Sequence, residues 1–79
     1  MEFMTTSTRL DRIVMDPEIR FGKPTIRGTR ITVADILGWL ASGMSFEEVL
    51  EDYPHIVRDD ILAALEYGAS ASDGRRVAS

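Results

Sequence analysis

Residues 32–43 read TVADILGWLASG, and this stretch decides the fold class of the 79-residue chain. Its apolar side chains recur at the i, i+3, i+4, i+7 spacing of one helix face, and they are Val33, Ile36, Leu37 and Leu40. Thr32 and Asp35 have the spacing of a capping box, which favours a helix start at this point. Gly43 supplies the left-handed residue that ends such a helix. The stretch therefore predicts a first helix from about residue 33 to the glycine.

A second helix follows with the same signals. Ser45 and Glu48 form another capping box, and Pro54 cannot continue the helix and so ends it. The apolar residues again lie three and four positions apart, and they are Phe46, Val49, Leu50 and Tyr53.

A third helix is predicted from about Arg58 to Tyr67, with Gly68 as its stop. Val57 occupies the N-cap, where Val is a poor residue. The side chains expected to face the core are Ile61, Leu62 and Leu65. The side chains expected to be exposed are His55, Arg58, Asp59, Asp60, Ala63, Ala64 and Glu66. Three short helices joined by tight turns fit a helix-turn-helix arrangement.

Short strands are predicted before the helices. Residues 12–15 form a β-branched run that Asp16-Pro17 closes, residues 21–24 form a turn, and residues 25–31 alternate weakly around Gly28. These strands are too short to persist alone, so they must pair with a second copy or lie on the helices. The fold class predicted is mainly α, with short N-terminal β-strands followed by a three-helix bundle of helix-turn-helix type.

Four segments follow from this reading. Residues 1–8 are expected to be a tag remnant and disordered N-terminus, 9–31 a β-arm and dimerisation segment, 32–69 the trihelical helix-turn-helix domain, and 70–79 a flexible tail. A chain of this length has a small core and is marginal alone, so a homodimer is expected. The residues predicted for the dimer interface are Ile13, Val14, Met15, Ile26 and Ile31.

Composition argues against several classes of function. The chain has no Cys and a single His, so it has no metal-ligand spacing, and no metal or cofactor is predicted. No nucleophile-plus-base arrangement is apparent, so no enzyme is expected. No apolar run approaches the ~20 residues of a membrane span. The absence of Cys and of a signal peptide makes the cytoplasm the expected compartment.

The net charge of −4 is unevenly distributed along the chain. Residues 9–30 carry six cations and three carboxylates, whereas residues 31–67 carry one cation and eight carboxylates. Such asymmetry indicates either polyanion binding or charge-driven self-association. The residues predicted to bind DNA are Lys23, Arg27, Thr29 and Arg30 on the glycine-containing arm, with His55 and Arg58 beside the third helix. Alternatively, Arg27 and Arg30 bind the acidic helices of the same or a partner chain.

Several motifs together resemble the small bacterial family catalogued as domain of unknown function 433. They are Asp16-Pro17, Gly22-Lys23-Pro24, residues 26–30 (IRGTR), residues 40–45 (LASGMS), Glu47-Glu48, Tyr53-Pro54-His55 and the Asp60-Ile61 and Ala63-Ala64-Leu65 segments. The resemblance covers about residues 13–69, and Val57 departs from the Thr or Ser that the family often has there. It implies a homeodomain-like fold and a VapB-like antitoxin encoded beside a PIN-like ribonuclease toxin.

The leading hypothesis is therefore the antitoxin of a type II toxin–antitoxin system. This dimer binds and neutralises the ribonuclease and represses its own operon by binding operator DNA. A second hypothesis, from another class, is a protein-interaction adaptor whose acidic helices bind a basic partner and which never touches DNA. An enzyme is a distant third.

Overall fold

The computed structural model describes residues 9–72, and the predicted tag remnant at 1–8 and most of the predicted tail lie outside them. Strands β1 (Ile13–Val14) and β2 (Thr25–Ile26) form a two-stranded antiparallel sheet. Helices α1 (Val33–Ala41), α2 (Phe46–Asp52) and α3 (Arg58–Ala71) follow. A single 3₁₀ turn at Arg20–Gly22 lies between the strands. The predicted fold class, short N-terminal strands before three helices, is confirmed.

The sheet lies on the helices of its own chain. Ile13 pairs with Ile26 and Val14 pairs with Thr25, while a further bridge joins Thr25 to Thr32 at the start of α1. The Val33 amide donates to the Pro24 carbonyl at 2.9 Å, so the second strand is bonded directly to the first helix. Strands of two residues persist here because the helical core covers one face of them.

Both predicted capping boxes are present. The Asp35 amide donates to Thr32 Oγ1 at 2.9 Å, and the Thr32 amide donates to Asp35 Oδ2 at 3.1 Å. Ser45 and Glu48 make the same reciprocal pair at the start of α2. Gly43 has a φ of +105° just after α1, which is the left-handed conformation expected of it. Local chemistry therefore sets the limits of the first two helices.

The third helix begins where predicted, but only one of the two hydrogen bonds of a capping box is present. Its N-cap residue Val57 donates its amide to Asp60 Oδ2 at 2.9 Å, yet its own side chain has no oxygen with which to accept in return. Ile56 and Ile61 are both buried on either side of this start, as a hydrophobic staple requires.

Val57→Thr is therefore expected to stabilise the protein. The backbone at 57 already has extended, N-cap geometry (φ −123°, ψ 172°), so a hydroxyl there can accept an amide of the first turn. Because good caps contribute about 0.5–2 kcal/mol over apolar ones, the free energy of unfolding should rise by about 1 kcal/mol. Urea denaturation followed by circular dichroism measures this, and Val57→Ala, which cannot cap, is the control. An equal or lower stability of the Thr variant would contradict the cap assignment.

Gly68 does not end α3, which corrects the prediction from sequence. The helix continues through it to Ala71, so residues 69–71 are helical. The glycine serves close packing instead, since a Cβ at this position would lie 3.0 Å from Leu37 Cδ1. Helices α1 and α3 approach each other at this point because position 68 has no side chain.

The face that α3 buries also differs from the one predicted. Ile61 is fully buried as expected, but Leu62 is only half-buried and Leu65 is 38% exposed. Ala63 and Ala64, expected at the surface, are fully buried. Ala64 belongs to the core cluster on the side of α3 that also carries Ile61 and Gly68, and the leucines lie nearer the rim.

The core is a single apolar cluster between the sheet and the helices. Its buried members are Ile26, Val33, Ile36, Val49, Ile56, Ile61 and Ala64. At its edge the rings of Trp39 and Tyr53 stack nearly parallel, with centroids 3.9 Å apart. This contact joins the end of α1 to the residue that follows α2.

Candidate nucleic-acid interface

Three of the six cations in residues 9–30 are bound to the acidic helices. Arg9 pairs with Glu66 at 2.8 Å and Arg20 pairs with Asp35 at 3.3 Å. Arg12 pairs with Asp60 at 3.0 Å and lies 3.7 Å from Asp59. These arginines fasten the N-terminal segment to α1 and α3, so part of the charge asymmetry is neutralised within the protein.

Asp60 is the buried member of these pairs, which corrects its predicted exposure. The residue is only 6% exposed. Its Oδ1 accepts from Arg12 and its Oδ2 accepts from the Val57 amide. A buried carboxylate needs such partners, because removing it from water unpaired is costly. Asp60 therefore joins the first strand to the start of α3.

The remaining three cations are exposed. Lys23, Arg27 and Arg30 form no ion pair with any carboxylate of residues 9–72. Arg27 donates from Nη2 to the Asp11 carbonyl, which orients the side chain without neutralising it. The alternative in which Arg27 and Arg30 bind the acidic helices of the same chain is thus not seen in the described part, where Arg9, Arg12 and Arg20 pair with carboxylates of α1 and α3 instead.

Arg27 and Arg30 lie in a fixed turn between Ile26 and Ile31. The Ile26 amide donates to the Ile31 carbonyl at 2.9 Å, and Gly28 lies between them with a φ of +81°. Thr29 Oγ1 donates to the Ile26 carbonyl and accepts from the Ile31 amide, both at 2.9 Å. The Thr29 hydroxyl is therefore engaged within the turn, where it holds the flanking Arg27 and Arg30 in place.

Lys23 and Arg27 border different clefts. Arg27 lies with Asp11, Arg12 and Asp60 around a polar cleft of ≈ 430 Å³. Lys23 stands instead at the rim of an apolar groove between α1 and α3. The cations available for phosphate contact are thus spread over the surface of the N-terminal segment.

The two candidates beside the third helix are also exposed. His55 lies in the turn between α2 and α3, and Arg58 begins α3. The Arg58 guanidinium carbon stands 4.8 Å from the centroid of the Phe46 ring, in a cation–π contact. Arg58 is therefore oriented by α2 and keeps its charge available to solvent.

The residues predicted for the dimer interface differ in what they expose. Ile26 is 2% exposed and belongs to the core of its own chain, so it offers no surface to a second copy. Ile13 and Ile31 are half-buried against the same core, and Val14 is half-buried in β1. Met15, at 59% exposed, is the member that presents a free apolar surface.

Sequence reasoning missed the conformation of the turn before Lys23. Arg20 and Phe21 have φ values of +52° and +60°, and Gly22 follows at +82°. Non-glycine residues in the left-handed region cost about 1–2 kcal/mol each, so this turn is retained against strain. Only Gly22 signals it in the sequence, because neither Arg nor Phe favours that region.

Arg20 restrains this turn through Asp35. Arg20 Nη1 donates to the Arg30 carbonyl at 2.9 Å and to Asp35 Oδ2 at 3.3 Å. Burial alone would raise the pKa of Asp35. Its hydrogen bonds with the Thr32 amide and hydroxyl, together with the Arg20 guanidinium, outweigh that effect and hold the pKa below its ordinary value of 3.8.

The Asp35 carboxylate should therefore make stability depend on pH in the acid range. A group whose pKa is lower in the folded state contributes stability above its unfolded pKa, and this stability is lost as pH falls through the folded pKa. We expect the free energy of unfolding to decline below about pH 4, with a smaller decline in Asp35→Asn. Thermal melts from pH 6 to pH 2.5 measure this, and parallel curves for the two proteins would contradict it.

Residues 9–72 include neither a cluster of three or more metal-ligating side chains nor a helix long and apolar enough to cross a membrane.

A two-stranded sheet fastened to three capped helices, with exposed cations on the connecting turns, defines a small trihelical domain with a basic N-terminal segment. The chain belongs to the family described as Protein of unknown function (DUF433), whose model matches residues 13–68.

Two curated proteins resemble the chain in sequence. The uncharacterised protein y4eO of Sinorhizobium fredii is 37% identical over 65 residues, which are 81% of this chain and 29% of that protein. A Mycobacterium tuberculosis protein named "Putative antitoxin VapB45" is 40% identical over 57 residues, which are 66% of this chain and 24% of that protein. The chain thus spans less than a third of the length of these relatives.

Two solved structures share the fold. A DUF433 member from Anabaena variabilis superposes with a TM-score of 0.74 at 29% identity, covering 78% of this chain and 61% of that one. A Mycobacterium tuberculosis protein superposes with a TM-score of 0.59 at 38% identity, covering 67% of this chain and 24% of that one.

Proposed function

We propose that this protein is the antitoxin of a type II toxin–antitoxin system. As a homodimer, it neutralises a PIN-like ribonuclease toxin by direct binding and represses its own operon by binding operator DNA. Support for the antitoxin role comes from the family and from the mycobacterial relative named as an antitoxin. The proposed role is one of binding and not of catalysis.

The observation that carries the DNA-binding part is the division among the cations. Lys23, Arg27 and Arg30 are exposed and make no ion pair with a described carboxylate, whereas their neighbours Arg9, Arg12 and Arg20 are all paired. Charges left exposed on a rigid turn are free to contact phosphates without first breaking an internal pair. Arg58 and His55 add a second contact from the turn before α3.

One observation favours the adaptor as a second candidate. Helix α2 presents four exposed carboxylates, those of Glu47, Glu48, Glu51 and Asp52. This face repels DNA and suits a basic partner. In the antitoxin proposal the same face is turned away from DNA, so the two candidates differ in whether any nucleic acid is bound.

Two assays test the proposal. The ribonuclease encoded beside this protein should co-purify with it, and added protein should inhibit cleavage of an RNA substrate in proportion to its concentration. DNA from upstream of the operon should bind with an affinity that falls steeply as salt rises. Inhibition without DNA binding at low salt would support the adaptor, and failure of both assays would refute the antitoxin role.

A further inference from the structure

Phe21 is the most exposed of the large apolar side chains in the described part of the chain, at 93%. It stands on the strained left-handed turn described above, which points an aromatic ring into water. Because a single exposed Phe has neither stabilising contacts nor a conformation it prefers, the monomer gains nothing from this arrangement. Phe is enriched at protein interfaces, and retained backbone strain marks functional positions, so this side chain suits an interface anchor.

The turn that carries Phe21 is rigid. The Gly22 amide donates to the Ile19 carbonyl at 3.1 Å and the Lys23 amide donates to the Arg20 carbonyl at 3.2 Å. The Arg20 side chain bonds to Asp35 and to the Arg30 carbonyl. Because the backbone of the anchor is already fixed, docking has only the rotamer freedom of the ring to remove.

An apolar groove of ≈ 490 Å³ lies beside this turn, between α1 and α3. Its walls include Pro24, Leu37, Tyr67, Gly68 and Ala71, and Lys23 is the one charged residue that lines it. Gly68 and the small Ala71 add little bulk to the α3 wall of the groove. Its size and chemistry suit an aromatic ring.

We infer that Phe21 of one copy docks in the α1–α3 groove of a second copy, and that the second copy returns the contact. Lys23 and Pro24, which line the groove of the same chain, follow Phe21 by only two and three residues. The Phe21 side chain and the groove are therefore neighbours on one face of the protein. A two-fold axis beside them places each Phe21 at the groove of the other copy.

Charge complementarity supports a second copy as the occupant. The turn that carries Phe21 follows Asp16 and Glu18, whereas Lys23 supplies the charge at the groove. Glu18 and Lys23 are both exposed. In the reciprocal contact the exposed Glu18 carboxylate, three residues before Phe21, approaches the Lys23 of the partner groove.

This inference rests on the proposed homodimer and names its contact. The test is sedimentation equilibrium of the full chain over a wide concentration range, with folding checked by circular dichroism. Phe21→Asn removes the ring but keeps a residue that tolerates the left-handed conformation. Ala71→Glu places a charge in the groove at an exposed position of the last turn of α3.

Each variant should raise the dimer dissociation constant by at least about a hundredfold. By symmetry, Phe21→Asn removes both buried rings and Ala71→Glu places an unpaired charge in both grooves. Val57→Thr is the matched control, since it also removes an exposed apolar side chain. Val57 precedes the first residue of the 14-residue α3, about 20 Å along the helix from Ala71 at its other end. The dimer dissociation constant of Val57→Thr should equal that of the wild type.

A wild-type dimer that neither variant weakens, or that only one of them weakens, would overturn the inference and leave the proposed homodimer standing. A dimer lost on Met15→Ser but kept in Phe21→Asn would place the contact at Met15, directly after β1, and would overturn the inference too. A wild-type monomer at every concentration would refute the proposed homodimer together with this contact. If Phe21→Asn weakened DNA binding and not dimerisation, the ring would be a DNA contact and the inference would be wrong.

Discussion

Ile61→Ala is expected to lower the free energy of unfolding by about 2–5 kcal/mol, the range for truncating a buried aliphatic side chain. Ile61 is fully buried in α3, against the cluster that joins the sheet to α1. Small domains have a total stability of only about 5 kcal/mol at the lower end, so much of the variant should be unfolded at 37 °C. Urea denaturation followed by circular dichroism measures the change.

Leu65→Ala is the matched control for this prediction. The same helix carries Leu65 one turn later, but its side chain is 38% exposed. Truncation there should cost less than about half as much as at Ile61, because part of the side chain is already in water and the cavity opens to solvent. Equal losses for the two variants would show that α3 is rotated toward the face predicted from sequence, with Leu65 inside.

The features that the sequence predicts well are those set within a few residues. The Thr32–Asp35 and Ser45–Glu48 boxes need only two side chains three positions apart, and both are present. The stops at Gly43 and Pro54 likewise depend on the backbone of a single residue. For this reason the number, order and starts of the helices can be predicted from the sequence.

The third helix shows where such prediction fails. Whether Gly68 ends a helix or serves a close approach depends on Leu37, which is 31 positions earlier in the chain. The apolar spacing of α3 predicts that its leucines are buried. This prediction uses only the hydrophobicity and position of each residue, and it contains no information on the distance between α3 and α1. With α1 so near, the small Ala64 is buried in the core and Leu65 is left 38% exposed.

The candidate site is predictable only in part for the same reason. The charge division along the chain indicates a basic segment, but Arg12 and Arg27 look alike in sequence. Only the fold shows that the carboxylates of α1 and α3 reach Arg9, Arg12 and Arg20, leaving Lys23, Arg27 and Arg30 exposed. The left-handed turn at Phe21 has no sequence signal beyond Gly22.

Replacing Arg27 and Arg30 together by Ala is expected to weaken binding to every DNA by roughly tenfold at low salt, as loss of two exposed charge contacts implies. The salt dependence should change with it. The slope of log affinity on log salt should fall by about two, because each lost phosphate contact removes about one released counterion. Operator and unrelated DNA should be affected alike, since phosphates carry no sequence information.

Two controls test whether the change in slope comes from lost phosphate contacts of Arg27 and Arg30, and not from altered folding or from the loss of any one positive charge. Arg27→Lys with Arg30→Lys keeps both charges and should keep the slope. Arg9→Ala removes one cation that is engaged with Glu66 in an exposed pair, so it should change both stability and slope little. Arg58→Ala should instead alter the preference among sequences if the start of α3 contacts bases.

The most direct test is a salt titration of the wild-type protein and the Arg27→Ala, Arg30→Ala variant on operator DNA, followed by fluorescence anisotropy. We predict a steep wild-type slope that becomes shallower by about two in the variant, with the fold unchanged by circular dichroism. An unchanged slope would contradict the assignment of phosphate contacts to these cations, and no wild-type binding at low salt would contradict DNA binding altogether.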